Sequence, residues 1–157
     1  VLTDFGYSDL AFSMITRPDY PSYGNWIARG ATTLWEVFQP EGSDRIGSLN
    51  HHFWGDISSW FTQALSGIRM APHGEPNEVD FRPSFISRLT HAEAFHIAPA
   101  GRIASAWERD EDDVIVLTVE LPSTMHGVIR LESGYVFEDG LAYKAAESGT
   151  YRIHSIE

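Results

Sequence analysis

Glu36 stands beside Trp35 in "GATTLWE" (residues 30–36), within the most aromatic part of the chain. Trp26, Phe38, Phe53 and Trp54 are close in sequence, and His51 and His52 follow in "SLNHHFWGD". Partial burial among rings is one way in which a carboxyl group is tuned for proton transfer. Aromatic faces also pack on the C–H faces of sugar rings, while carboxylates and amides bond the hydroxyls. The same residue set therefore suits acid–base work on a carbohydrate. The competing reading is plainer: aromatics at helical spacing form core, and a Glu after a Trp sits on the surface. The His pair divides in the same way. Adjacent histidines point to different sides, and no His-Glu-x-x-His or Cys/His framework accompanies them, so no metal and no cofactor are expected. One His can bond a sugar hydroxyl, or it can be satisfied by backbone near a helix start at Asp56. Nucleophile and phosphate motifs are absent: "ALSGI" is not G-x-S-x-G, and "SYGNWIARG" lacks a preceding strand. His73, His91, His96, His126 and His154 are scattered and read as surface or strand residues.

The elements that must position these groups change character near residue 67. Tyr7, Leu10, Ala11 and Met14 have helical spacing, with Asp4 as candidate N-cap. Ser22 to Arg29 reads as a short helix stopped by Gly30, and Pro18 and Pro21 separate it from the first. Ile57, Trp60, Phe61, Ala64, Leu65 and Ile68 predict a third helix, with Asp56 to cap it and Gly67 to end it in a left-handed conformation. Beyond Gly67 the period becomes two. Ile115, Leu117, Val119 and Leu121 share one face of a strand, and Ile103, Ser105 and Trp107 share one face of another. The acidic run at residues 109–113 reads as the turn between them. Shorter strands are expected at Gly127–Leu131, Tyr135–Phe137 and Thr150–Ile153, giving an antiparallel sandwich. "APHGEPNE" (71–78) is the best linker. The expected organisation is thus α, then all-β, with residues 1–70 helical and 71–157 a β-sandwich module.

The bulk numbers bound the partners. The 157 residues suffice for one ordinary domain or two small ones, and 43% are hydrophobic. A net charge of −11 disfavours nucleic acid and anionic membrane surfaces. The chain has no cysteine, hence no disulfide or thiolate metal site. No run is long and apolar enough for a membrane span, and no signal peptide is evident. The compartment is not readable; a soluble and, by slight preference, cytoplasmic setting is the expectation. "VLTDFGYSDLAFSMI" opens almost directly on a helical pattern without Met, which reads as the continuation of a longer chain.

"YPSYGNWIARGATTLWE" followed by "SLNHHFWGDISSWFTQALSGIR" resembles the end of the catalytic domain of bacterial α-L-rhamnosidases. These are inverting glycoside hydrolases with an (α/α)6 barrel. "LTHAEAFHIAPAGRIASAWERD", "VLTVELP" and "ESGTYRI" resemble that family's C-terminal, jelly-roll-like β-sandwich. The resemblance implies that residues 1–70 are the last barrel helices. It implies Glu36 as general base, His51 in the sugar subsite, and Trp35, Asn50 and Trp54 in support. An inverting hydrolase needs two carboxyls about 6.5–9.5 Å apart, one protonating the leaving oxygen and one activating water. The resemblance places the acid far upstream, in a segment outside these residues. The implied partners are an L-rhamnose-containing carbohydrate and the upstream remainder of the same protein. The chain alone is expected to be inactive. "PSYGN" for the usual "PSWGY", "WEVFQ" where a basic residue and a second Trp commonly follow the Glu, and a short loop from Val37 to Leu49 are departures that bear on the sugar or aglycone accepted. Two other readings stand beside this one: a non-catalytic carbohydrate-binding module, and a related hydrolase or lyase for another sugar. A binding module needs no base, and a lyase needs a His/Tyr/Arg set with an acidic polymer.

Overall fold

A computed structural model describes residues 1–44 and 47–156, and its first elements are short. A 3-10 turn at Thr3–Phe5 precedes helix α1 (Ser8–Thr16). The cap expected from Asp4 is not made: Asp4 lies inside the turn, and Tyr7 stands at the helix start with no side-chain cap bond. Of the predicted apolar stripe only Ala11 is buried, while Tyr7, Leu10 and Met14 are exposed. Helix α2 (Tyr23–Ala28) starts as its sequence dictates. Ser22 is extended, and its hydroxyl oxygen accepts the Asn25 N–H at 2.8 Å, satisfying an amide that has no partner within the helix. A helix of six residues is marginal alone. This one is held by Trp26, which is 2% exposed.

Helix α3 (Ile57–Trp60) continues as a π-helical turn at Phe61–Leu65. The expected spacing is met through Ala64 and Leu65, which are buried. Gly67 then takes φ +78°, the left-handed ending read from the sequence. Ile68 departs from that reading, because it opens a strand instead of closing the helix. The chain divides into two compact units, Val1–Ser58 and the residues from Ser59 on.

The second unit is a pair of sheets. Strands β1 (Ile68–Met70), β2 (Glu78–Phe81), β6 (His126–Arg130) and β8 (Tyr143–Ala145) form one in the order β1-β2-β6-β8. Strands β3 (His91–Ala98), β4 (Gly101–Arg109), β5 (Ile115–Glu120), β9 (Gly149–Ser155) and β7 (Tyr135–Phe137) form the other in the order β3-β4-β5-β9-β7. Pairing is antiparallel except for β2 and β6, which run parallel with Val79 opposite Gly127. Residues 71–77 join β1 to its antiparallel neighbour β2.

The alternation read from the sequence decides the core. Ile103, Ser105 and Trp107 of β4 are buried, as are Ile115, Leu117 and Val119 of β5. Val79, Phe81 and Ile129 from the other sheet join the same cluster. Each large side chain taken fully out of water contributes about 1.5–3 kcal/mol. Trp107 keeps its polar atom satisfied, donating its indole N–H to Leu65 O at 2.7 Å. Asp80, buried between Val79 and Phe81, is tolerated because Arg82 Nη2 lies 2.6 Å and Arg130 Nε 3.6 Å from its carboxylate. The acidic run forms the predicted turn. Asp110 Oδ1 accepts the N–H groups of Asp112 and Val114 at 3.0 and 2.9 Å, and Arg109 bridges to Asp113 at 2.6 Å. Among the described residues no helix is long and apolar enough to cross a membrane, and no cluster of three or more His, Asp or Glu could hold a metal ion.

Candidate functional site

Two segments without regular secondary structure, 33–36 and 48–51, run past one another in the first unit. Glu36 N–H donates to Ser48 O at 2.9 Å, and His51 N–H donates to Leu34 O at 2.9 Å. The Thr33 hydroxyl donates to Leu49 O. These bonds bring the Glu36 and His51 segments together, although the two residues are far apart in sequence. Glu36 is half-buried, and its Oε2 accepts the Ser48 N–H at 2.8 Å. A hydrogen bond to a charged acceptor is roughly twice as strong as a neutral one, so this contact fixes the carboxylate's direction. The backbone of the same residue is tied as well, with Trp54 Nε1 donating to Glu36 O at 2.9 Å.

His51 is half-buried and His52 exposed. The two rings stack, with centroids 5.0 Å apart and an interplanar angle of 12°. The expectation that adjacent histidines diverge is therefore corrected. It holds for an extended strand, and here the chain bends at His52, whose carbonyl accepts the Gly55 N–H at 2.8 Å to open a turn. His51 Nδ1 accepts the Phe53 N–H at 3.1 Å. The neutral ring consequently carries its proton on Nε2, which becomes the donor available to a ligand. Asn50 is exposed, and its backbone is tied to the Ser48 hydroxyl through both N–H and C=O.

The neighbouring aromatics divide between core and rim. Trp26 stacks on Phe38 at 4.2 Å and 16°, Tyr23 meets both edge-on, and Trp54 tilts against Phe38 at 5.1 Å. Pairs of this kind add about 0.5–1.5 kcal/mol beyond the area they bury. Trp35 tilts on Trp26 at 6.0 Å, with the Arg29 guanidinium 5.2 Å from its ring centroid. Phe53 is 67% exposed. All five residues singled out from the sequence thus lie in the first unit, on or beside the paired segments. Thr33 and Ser48 were missed as participants. Thr33 was visible only as part of the motif, and no spacing rule signals that a serine amide twelve residues on will bind a carboxylate.

The Tyr23 hydroxyl donates to Trp54 O at 3.1 Å. Burial, and secondarily the charge of Asp56, raise the Tyr23 phenol above its ordinary pKa. Its folded value thus exceeds the unfolded one of about 10. Its contribution to stability is complete below that value and is lost as pH rises through the higher folded value. Thermal unfolding followed across the alkaline range by near-ultraviolet circular dichroism is expected to show this loss. Tyr23→Phe is expected to remove that part of the alkaline sensitivity.

A carboxylate steered by a peptide N–H can take a proton from water, and an imidazole on the paired segment, with Nδ1 already accepting, keeps its Nε2–H for a hydroxyl. Segments without regular secondary structure, flanked by short helices, carry this arrangement, and a two-sheet module follows in the chain. Residues 1–65 match the family described as bacterial alpha-L-rhamnosidase 6 hairpin glycosidase domain. Residues 77–135 match the bacterial alpha-L-rhamnosidase C-terminal domain. The chain belongs to the bacterial α-L-rhamnosidase family and aligns with the C-terminal part of its members. An α-L-rhamnosidase of Streptomyces avermitilis is 27% identical over 171 residues, which cover 98% of this chain and 16% of that protein. One from Alteromonas sp. (strain LOR) is 28% identical, covering 99% and 18%. The chain therefore spans less than a fifth of the length of these relatives. Among solved structures, the α-L-rhamnosidase of Dictyoglumus thermophilum superposes with a TM-score of 0.78 at 26% identity, covering 97% of this chain and 19% of that one. The Streptomyces avermitilis α-L-rhamnosidase complexed with L-rhamnose gives 0.79 at 26% identity, covering 97% and 16%.

Proposed function

We propose that this chain is the C-terminal part of an inverting α-L-rhamnosidase and supplies the water-activating half of its active site. Glu36 is the general base. Water attacks the anomeric carbon from the face opposite the leaving oxygen and gives its proton to Glu36. The bond from the anomeric carbon to the leaving oxygen breaks, and a carboxylic acid elsewhere in the protein protonates that oxygen. His51 donates through Nε2 to a rhamnose hydroxyl, and Trp35 and Asn50 flank the sugar. The substrate is a carbohydrate bearing a terminal L-rhamnose.

The observation that carries this reading is the way Glu36 is held. Its Oε2 is aimed by the Ser48 peptide, and the same pairing of segments ties the His51 N–H to Leu34 O, two residues before Glu36. A surface Glu has no need of either bond. The exposed apolar side chains of the helical unit, among them Phe5, Leu10, Met14 and Ile27, also support it, because they suit packing against further helices of the same protein.

Proton NMR of the intact hydrolase acting on an aryl α-L-rhamnoside tests the proposal. The β-anomer of L-rhamnose is expected as the first product, before mutarotation. Residues 1–157 alone are expected to release none at a measurable rate. First formation of the α-anomer, or turnover by the isolated chain, would overturn the proposal.

A further inference from the structure

An indole has a single hydrogen-bond donor, and Trp54 commits it to the Glu36 carbonyl at 2.9 Å. Its ring is packed against Phe38 at 5.1 Å and Phe53 at 5.2 Å, and its own carbonyl accepts the Tyr23 hydroxyl. Glu36 is thereby tied at three atoms. Its O accepts from Trp54, its N–H donates to Ser48 O, and its Oε2 accepts the Ser48 N–H. The Thr33 hydroxyl closes the same pair of segments on Leu49 O. No helix or strand of the described residues runs through 31–56, so backbone ladders do not fix the carboxylate there. Two isolated backbone bonds and the side-chain bonds of Trp54, Thr33 and Glu36 itself do so instead.

We infer that Trp54, seconded by Thr33, is a positioning residue that acts through Glu36 and is not a platform for the sugar. The inference rests on Glu36 being the base. A general base works only within hydrogen-bond reach of its water, and a misplacement of about 1 Å costs up to 10²-fold. Loss of the indole N–H unties the carbonyl side of Glu36, leaves the two Ser48 bonds to hold the residue alone, and lets the carboxylate drift off line without removing any contact to the sugar.

The test is a kinetic cycle in the intact hydrolase, with Trp54→Phe, Glu36→Gln and the double variant. Trp54→Phe is expected to lower kcat by about tenfold while KM stays within about twofold. In the Glu36→Gln background it is expected to cost less than about twofold, because the group it positions is already gone. A raised KM with unchanged kcat would make Trp54 a direct sugar contact and overturn the inference. So would equal losses in both backgrounds, or no loss at all. Thr33→Val keeps the branched shape and removes only the hydroxyl. It is expected to follow the same pattern, and it decides the question if circular dichroism shows that Trp54→Phe is misfolded. Near-normal kcat in Glu36→Gln would overturn the base assignment itself. A large loss there, with Trp54→Phe failing its pattern, would overturn the positioning role alone.

Discussion

Glu36→Gln in the intact hydrolase is expected to lower kcat and kcat/KM together, by about 10²–10⁴-fold, the range that loss of a general base produces. Gln keeps the length and shape of Glu, and its amide oxygen can still accept the Ser48 N–H that now meets Oε2 at 2.8 Å. The ties to Trp54 and Ser48 through the backbone of residue 36 are untouched by the substitution. The local structure is therefore expected to survive, with circular dichroism and thermal unfolding close to those of the parent. What disappears is the ability to take a proton. An equal fall in kcat and kcat/KM marks an interaction made in the transition state and not in the ground state. A rise in KM alone would instead mark Glu36 as a binding residue.

The largest expected effect on folding lies at Gly127. This residue sits opposite Val79 in the parallel β2–β6 pair. A Cβ there would stand 1.6 Å from Val79 O and 2.7 Å from Val79 C, both backbone atoms. No rotamer change relieves such a clash, so the strands must part. Val79 and Phe81 in β2 and Ile129 in β6 are wholly buried, and separation of the two strands disturbs all three. Overpacking costs about 1–3 kcal/mol where side chains can give, and more where they cannot. Gly127→Ala is expected to destabilise the second unit by about 3 kcal/mol or more, lowering its Tm on the order of 10 °C. Gly149→Ala is the matched control, because a Cβ at Gly149 meets nothing within 4 Å. It is expected to change stability by less than about 0.5 kcal/mol. Equal effects of the two substitutions on thermal unfolding would show that the β2–β6 contact is not this close.

The residues themselves explain which features were legible in the sequence. β5 could be read because Ile115, Leu117 and Val119 are buried while Thr118 and Glu120 are exposed, and one-sided burial is what writes a period of two. β3 could not. Its "HAEAFHIA" carries small and charged residues at a sheet edge, and its pairing is imposed by the facing residues of β4. The parallel pairing of β2 and β6 is likewise a property of the whole sheet, and only Gly127 hints at it locally. In the first unit the helix-forming stripe of α1 was visible, but the cap was not. Asp4 is absorbed by a 3-10 turn that no spacing rule anticipates.

The candidate site divides along the same line. Glu36, Trp35, Asn50, His51 and Trp54 could be singled out by residue type and motif. Their physical roles depend on backbone bonds between segments far apart in sequence. Those bonds exist only once Thr33 meets Leu49 and Ser48 meets Glu36. The aromatic cluster shows the same ambiguity at closer range. Trp26 is core, Phe38 is half-buried against it, Phe53 is rim, and composition alone does not separate them.

Whether Glu36 activates water is decided by comparing Glu36→Gln with the parent hydrolase on two aryl α-L-rhamnosides, one with a good leaving group and one with a poor one. A base acts on water, so its loss slows both substrates by similar factors. Both rates are expected to fall by about 10²-fold or more, to a similar extent. Recovery of the rate on the good leaving group would identify Glu36 as the acid, and near-normal rates on both would make it structural; in either case Glu36 is not the base.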